Sequence, residues 1–454
     1  MNYDYDLFVI GAGPGGVAAA ERAAKYGARV AIAERDRVGG TCVVHGCIPE
    51  KLMTYAASFS KFFRNADEYG WGKVQTDFDW QQFMAARNQD INHLSQVHTE
   101  HLREAGAKLL TGNARLLDAH TIELGDSFAC SFGERQYTAE KILLAVGGKA
   151  TKPDIPGIEY AITSRELLTL KQQPDHLAIV GSNHIAVKLA GIMNGLISKV
   201  TLVVAEDNIL PGKDEDLRSM IQAEISDLGV RICSNSKVEK ITKVGKCLNV
   251  TLSCEDKPIE VESIVFITNR IANLEGLNLE KAGVEVKAGA IIVDEYSRTT
   301  QPNIFAVGDC TPRPHWTPVA IAAGRAFAET EFGHKNHIID YDGIPYVVSA
   351  IPEAAVVGLT EAQAREKFGA SVRCYTKKFQ PLFNLMGESK QETLLKLVVE
   401  SESERVVGAH MLGNYAAEII QMIALAMKAG VTKKNFDSTI GIHPTVAEEF
   451  FTMH

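Results

Sequence analysis

Cysteine is scarce in this chain: eight among 454 residues, at positions 42, 47, 130, 233, 247, 254, 310 and 374. An extracellular disulfide framework would be denser. The start, MNYDYDLFVIGAGPGG, lacks both a basic leading region and a cleavage-site pattern, so no signal peptide is expected. No uncharged apolar stretch approaches the roughly 20 residues of a membrane helix. Positive charge is in deficit, 47 basic against 56 acidic residues for a net charge of -9, which argues against nucleic acid or an anionic membrane as the main partner. Tandem repeats and low-complexity runs are missing as well. These absences predict a soluble, cytoplasmic protein. With 46% hydrophobic residues, the length suits two to four domains, each with an ample core.

What is present reads as alternating strands and helices. Residues 4–10 form a strand, 14–26 an alanine-rich helix and 29–34 a second strand, a βαβ unit with Gly11, Gly13 and Gly16 at its strand-to-helix turn. Glu34 ends the second strand. The glycines permit a tight turn, close approach of a pyrophosphate and helix packing, and the acid can bond a ribose, so this reads as a dinucleotide site, against the alternative of a glycine-rich turn without ligand. A second unit follows in strand 176–180, helix 184–196 and strand 199–204. Further strands are expected at 229–233, 247–253, 261–267 and 303–309, with Asp309 ending the last, and a helix at 317–330. From 343 the texture changes to strands of an α+β domain, followed by helices at 414–429 and 445–453. Boundaries fall near 150, 272 and 342.

Two constellations carry chemistry. In GGTCVVHGCIPEK, Cys42 and Cys47 are five apart at an irregular helix start. They read either as a disulfide able to exchange two electrons with a neighbouring flavin, or as core cysteines or part of a metal site; no second short-spaced Cys/His cluster supports a metal, and none is expected. In GIHPTVAEEF, His443 and Glu448 read either as a proton shuttle for a thiol or as a surface histidine beside a helix start.

These motifs, with LLAVGG, NIFAVGD, TPVAIAAGRAFAETEFG and KLVVE in order along nearly the whole chain, resemble the class I flavoprotein disulfide reductases, most of all glutathione reductases. The resemblance implies an α/β fold of two Rossmann-like dinucleotide-binding domains plus a C-terminal α+β dimerisation domain. Its segments are 1–150 and 273–342 for FAD, 151–272 for NAD(P)H, and 343–454 for the interface of a homodimer. It also implies FAD held by Gly11, Gly13, Gly16, Glu34, Thr41, Gly147, Asp309 and Thr317. Cys42 matches the cysteine that engages the substrate, and Cys47 the one beside the flavin. His443 and Glu448 match an acid/base pair supplied by the partner subunit. Arg22, His98 and Arg325 fall in the substrate region, where Glu21 is unfavourable to a doubly carboxylated ligand such as glutathione.

The chain departs from that pattern mainly where nicotinamide dinucleotide should bind. The second glycine motif reads Gly181-Ser182-Asn183-His184-Ile185-Ala186, with Asn183 in place of the middle glycine and His184 in place of a tyrosine that caps the pocket. Asparagine tolerates a left-handed backbone but adds a side chain where pyrophosphate must approach. A later motif carries Asn269 before Arg270. The two arginine positions that meet a 2′-phosphate hold Ala205 and Pro211, and Glu206 repels that phosphate but can accept a ribose hydroxyl. Lys199, Lys213 or Arg218 would have to supply a cation instead. A lysine–glutamate pair of the family is reversed as Glu50 and Lys188. The sequence therefore predicts an NAD(P)H-dependent reductase of a low-molecular-weight disulfide that favours NADH over NADPH. The alternatives are a flavin-dependent dithiol oxidase with another electron partner, or a non-catalytic flavin-binding scaffold.

Overall fold

The computed structural model describes residues 2–72, 77–126, 135–386 and 389–453; Cys130 lies outside them. The chain divides into two compact units. One comprises 1–51, 81–151 and 269–341; the other comprises 52–80, 152–268 and 342–454.

The first unit is built on a parallel sheet ordered Lys108–Thr111, Val30–Glu34, Tyr5–Ile10, Gln136–Leu144 and Ile304–Ala306. Asn113–Leu116 and Thr121–Gly125 extend it antiparallel from the Gln136 strand. Strand side chains alternate between faces. Leu7, Val9 and Ile32 therefore meet the helices Pro14–Lys25 and Thr317–Glu331, while Phe8, Ile10 and Ile142 meet the antiparallel extension. Each such buried side chain contributes roughly 1.5–3 kcal/mol. The two helices touch backbone to backbone: a Cβ on Gly324 would stand 2.2 Å from the Gly15 carbonyl oxygen. Helix Trp80–Glu104 leans on the same unit through Ile91 and Leu94, which pack against Val43 and Val44.

The second unit holds another parallel sheet, ordered Arg231–Cys233, Lys199–Val203, His176–Val180, Ser263–Phe266 and Ile162–Thr163. A three-stranded antiparallel sheet (Val238–Val244, Cys247–Leu252, Ile259–Val261) lies beside it. The C-terminal portion is a five-stranded antiparallel sheet covered by helix Ala416–Lys428. Buried Lys396 on its Thr393–Glu400 strand bonds Asp214, Asp216 and Glu361 at 3.0, 2.6 and 2.8 Å, tying that sheet to the start of helix Glu215–Asp227. The α/β fold with two Rossmann-like regions and a C-terminal α+β domain is thus present.

One expected element is not formed. In place of a helix over 445–453 there is a single 3-10 turn, Ala447–Phe450. Glu448 turns its carboxylate back onto the Thr445 N–H (3.1 Å) and His443, and the Thr445 hydroxyl accepts from the Glu448 N–H (3.2 Å). These reciprocal bonds are those of a capping box, which starts a turn, and the turn ends at Phe450.

Candidate active site

The glycine turn of the first unit assigns a separate task to each glycine. Gly11 has φ +102°, and a Cβ there would lie 2.5 Å from the Ala145 carbonyl oxygen. A Cβ on Gly16 would collide with the Gly11 carbonyl oxygen at 2.0 Å. A Cβ on Gly13 would meet nothing within 4 Å. Gly13 caps the helix Pro14–Lys25 without a side-chain bond, leaving the helix N-terminus open. An open cradle facing unsatisfied N–H groups and the positive end of a helix fits a dinucleotide pyrophosphate. Glu34 accepts from the N–H groups of Ala12 (2.8 Å) and Asp36 (2.9 Å), which fixes the carboxylate beside this turn. Gly40, at φ +56°, rests on Gly13 so closely that a Cβ would stand 2.7 Å from its Cα. That contact, which sequence reasoning did not single out, delivers Thr41 to the same cradle. Asp309 follows strand Ile304–Ala306, 3.5 Å from the Arg270 guanidinium, with Gly147 (φ +67°) and Gly148 alongside.

Residues Thr41–His45 form a π-helical turn, and Cys47 then opens helix Cys47–Arg64. Cys42 and Cys47 are both unbridged thiols, Cys42 half-buried and Cys47 exposed. A hydrogen bond shared with Cys47, followed by burial, pushes the Cys42 thiol up. Thr317, the first residue of helix Thr317–Glu331, puts its hydroxyl 3.5 Å from Cys47 Sγ. His45, between the cysteines, bonds Asp36 through Nε2 at 3.0 Å. His98 lies four residues beyond Leu94 on the helix that packs against the redox turn. Arg22 is held by Glu329 at 2.8 Å, Glu21 is half-buried on the same helix, and Arg325 is exposed on helix Thr317–Glu331.

His443 and Glu448 come together in the second unit. Nδ1 of His443 lies 3.0 and 3.1 Å from the two carboxylate oxygens, and the imidazole is 82% exposed. The carboxylate accepts the Nδ1 proton and leaves Nε2 outward to take or give one.

The second glycine turn differs from the first in one decisive respect. Asn183 occupies the cap position with extended backbone (φ -78°, ψ 171°), so its tolerance of a left-handed backbone plays no part. Its Oδ1 accepts from the N–H groups of Ile185 and Ala186 at 3.0 and 3.1 Å. Its Nδ2 donates to the carbonyls of Ile267 and Thr268 at 3.0 and 3.3 Å. The side chain thus consumes the donors a pyrophosphate would use. Gly181 keeps the tight turn: a Cβ would lie 2.3 Å from the Ile267 carbonyl oxygen, and Ala186 is fully buried. His184 has its pKa lowered to about 3, by burial first and then by Lys188 and Lys213, so its imidazole is neutral near pH 7.

Ala205, Glu206 and Pro211 are exposed after strand Lys199–Val203. Two of the three alternative cations are engaged by other groups and the third is remote. Arg218 holds the loop itself through the carbonyls of Ile209 (2.9 Å) and Asn208 (3.1 Å). Lys213 bonds the Tyr346 hydroxyl and sits 4.7 Å from that ring's centre. Lys199 begins the strand at the end remote from Ala205, roughly 20 Å away at about 3.3 Å per residue. Strand Arg270–Ala272 pairs with Gly148–Ala150 in the first unit and sets Arg270 beside Asp309, while Asn269 directly follows Thr268, whose carbonyl Asn183 bonds. Glu50 (first turn of helix Cys47–Arg64) and Lys188 (helix His184–Gly195) lie in different units.

Residues 5–324 match the model of the pyridine nucleotide-disulphide oxidoreductases, and 344–454 match the dimerisation domain of the same group. The chain belongs to this family. It is an FAD-dependent disulfide oxidoreductase with a dimerisation domain, which makes it a homodimer. It is 48% identical over the full length of both chains to a glutathione reductase of Nostoc sp.. It is 40% identical to a glutathione reductase of Burkholderia cepacia, covering 100% of this chain and 99% of the other. Among solved structures it superposes on the HOCl-induced flavoprotein disulfide reductase RclA from Escherichia coli with TM-score 0.88 at 28% identity, covering 99% of each chain. Among the described residues no helix is long and apolar enough to cross a membrane.

Proposed function

We propose that this enzyme couples thiol–disulfide exchange at Cys42 to an electron donor other than NADPH, with NADH favoured if a nicotinamide serves. The single observation that carries the proposal is Asn183, which caps its helix with the side-chain oxygen and so competes with a pyrophosphate. Ala205, Pro211 and Glu206 add the loss of cations for a 2′-phosphate.

Gly11, Gly13, Gly16, Glu34, Thr41, Gly147, Asp309 and Thr317 would hold FAD, which when bound relays an electron pair between a donor and the cysteine pair. In the reductive direction the partner subunit's His443 takes the Cys42 proton as Cys42 attacks the substrate disulfide; one S–S bond breaks, a mixed disulfide forms, and the first thiolate leaves. The partner subunit's His443 gives that thiolate its proton, held in the right tautomer by the partner subunit's Glu448. Cys47 then attacks Cys42, releasing the second thiol and leaving an internal disulfide. The Thr317 hydroxyl 3.5 Å from Cys47 Sγ supports placing Cys47, rather than Cys42, on the flavin side. Run in reverse, the same groups oxidise a dithiol.

A second reading, reduction of glutathione disulfide itself, is favoured by the 48% identical relative that carries that name. The test of the donor is the combined variant Asn183→Gly, Ala205→Arg, Pro211→Arg. If the missing contacts are the cause, NADPH reduces the flavin faster in the variant than in the parent. Equal rates in a correctly folded variant would remove this basis for the proposal.

A further inference from the structure

A second group of sulfur and carboxylate ligands lies away from the redox turn. Cys233 ends strand Arg231–Cys233, and Cys254 and Glu255 lie in the turn after strand Cys247–Leu252. One ligand atom from each of the three, two Sγ and a carboxylate oxygen, lie within 4.8 Å of one another. Both thiols are unbridged, Cys233 buried and Cys254 exposed. Three groups that each bear negative charge as ligands are thereby brought together, and such a cluster is relieved by a cation among them. The Arg231 guanidinium bonds Glu255, orienting the carboxylate as an outer-shell group does at metal centres. Two thiolates, one carboxylate, one guanidinium and one divalent cation sum to zero charge.

We propose that Cys233, Cys254 and Glu255 form a binding site for a thiophilic divalent cation, Zn2+, with water in the fourth position. Sulfur ligands select Zn2+ over the hard cations Mg2+ and Ca2+. With Zn–S near 2.3 Å, tetrahedral geometry sets the two sulfurs about 3.8 Å apart, within reach of a small rotation of the exposed Cys254. The site lies against the loop that would meet an adenosine ribose. The Cys233 carbonyl accepts from Val204 N–H (2.9 Å), and the Glu206 carbonyl accepts from Asn235 N–H (2.8 Å). A bound ion would brace that loop from behind. The inference is independent of which electron donor the enzyme uses.

The test is a titration of FAD-loaded Cys42→Ser/Cys47→Ser protein, in which the other dithiol is silent, with Zn2+ and with Co2+ as its spectroscopic stand-in. The expected result is one ion per chain with thiolate-to-Co2+ charge-transfer absorbance. That absorbance is lost on adding Cys254→Ser or Cys233→Ser, and Zn2+ affinity falls about tenfold or more with Glu255→Gln. Cys254 is exposed, so its variant tests the site even if the buried Cys233→Ser fails to fold, with the flavin spectrum reporting folding. No thiolate band in the background protein, or a band that survives Cys254→Ser, would overturn the proposal. A Cys233–Cys254 disulfide in aerated, metal-supplemented protein would overturn it too, making the pair a redox couple.

Discussion

Asn183 and Gly13 stand at equivalent turns and do opposite things. Gly13 leaves its helix N-terminus open, whereas Asn183 closes its own with two hydrogen bonds and fastens it to the neighbouring strand end with two more. The sequence alone marks Asn183 as an obstacle to pyrophosphate. The cap itself is a local property of Asn before a helix, whereas its second pair of bonds depends on where the carbonyls of Ile267 and Thr268 fall, which is long-range information. Each charge-assisted phosphate bond lost costs roughly 1.5–3 kcal/mol, or about tenfold or more in affinity. His184 adds a pH signature. Its pKa is lowered to about 3 from 6.5, so the unfolded chain takes up the proton first and stability rises with pH across the window from about 3 to 6.5. Replacing His184 by Phe should flatten the stability curve in that window, measured by denaturant unfolding at a series of pH values; an unchanged slope would contradict the buried, neutral imidazole. At the acid/base pair, His443→Ala should slow thiol–disulfide turnover by about 10²–10⁴-fold, with Glu448→Gln intermediate. Steady-state kinetics against the best small disulfide would show this, and parent-like turnover in His443→Ala would remove the histidine from the mechanism.

Helix packing separates stability from cofactor binding. A Cβ on Gly324 would stand 2.2 Å from the Gly15 carbonyl oxygen, so Gly324→Ala should destabilise the first unit by about 1–3 kcal/mol. Gly13→Ala meets no protein atom, so it should leave the apoprotein's thermal unfolding unchanged while lowering the flavin bound per chain. Differential scanning calorimetry with flavin quantification distinguishes the two; equal destabilisation by both would contradict the assignment of Gly13 to the cradle. The main elements around these glycines were legible because strand alternation and the glycine turns are local signals. Strand Tyr5–Ile10, helix Pro14–Lys25 and helix Thr317–Glu331 fall within a residue or so of expectation. The π-helical turn Thr41–His45 was legible only as an irregular start. The helix expected over 445–453 is the single 3-10 turn Ala447–Phe450, where Glu448 is shared between the Thr445 N–H and His443, an arrangement periodicity does not register.

Across the whole molecule, the cysteine pair and the His443–Glu448 pair belong to different compact units, and motif order along the chain brought both into view without any signal for their relative position. The grouping of 52–80 with the second unit was likewise not legible, since it depends on contacts such as Tyr69 hydroxyl to Phe383 carbonyl (2.8 Å) and Ala57 against Gly195. Exposed apolar side chains near the C-terminus, Ile440 at 95% and Ile442 at 78%, precede the His443–Glu448 pair and suit burial by a second copy of the chain. If the partner subunit supplies His443, mixed dimers of a Cys42→Ser chain with a His443→Ala chain should recover activity that both homodimers lack, because one of the two shared sites would be intact. Verified heterodimers without activity would show that cysteine and histidine act within one chain.

The most direct measurement is anaerobic stopped-flow reduction of the purified, unmodified flavoprotein by NADPH, NADH and small dithiols in turn. The account predicts slow, weakly saturating reduction by NADPH, with NADH or a dithiol faster, and then the long-wavelength absorbance of a thiolate beside oxidised flavin, abolished by Cys47→Ser. Rapid, tight reduction by NADPH would contradict it and restore an ordinary NADPH-dependent glutathione reductase.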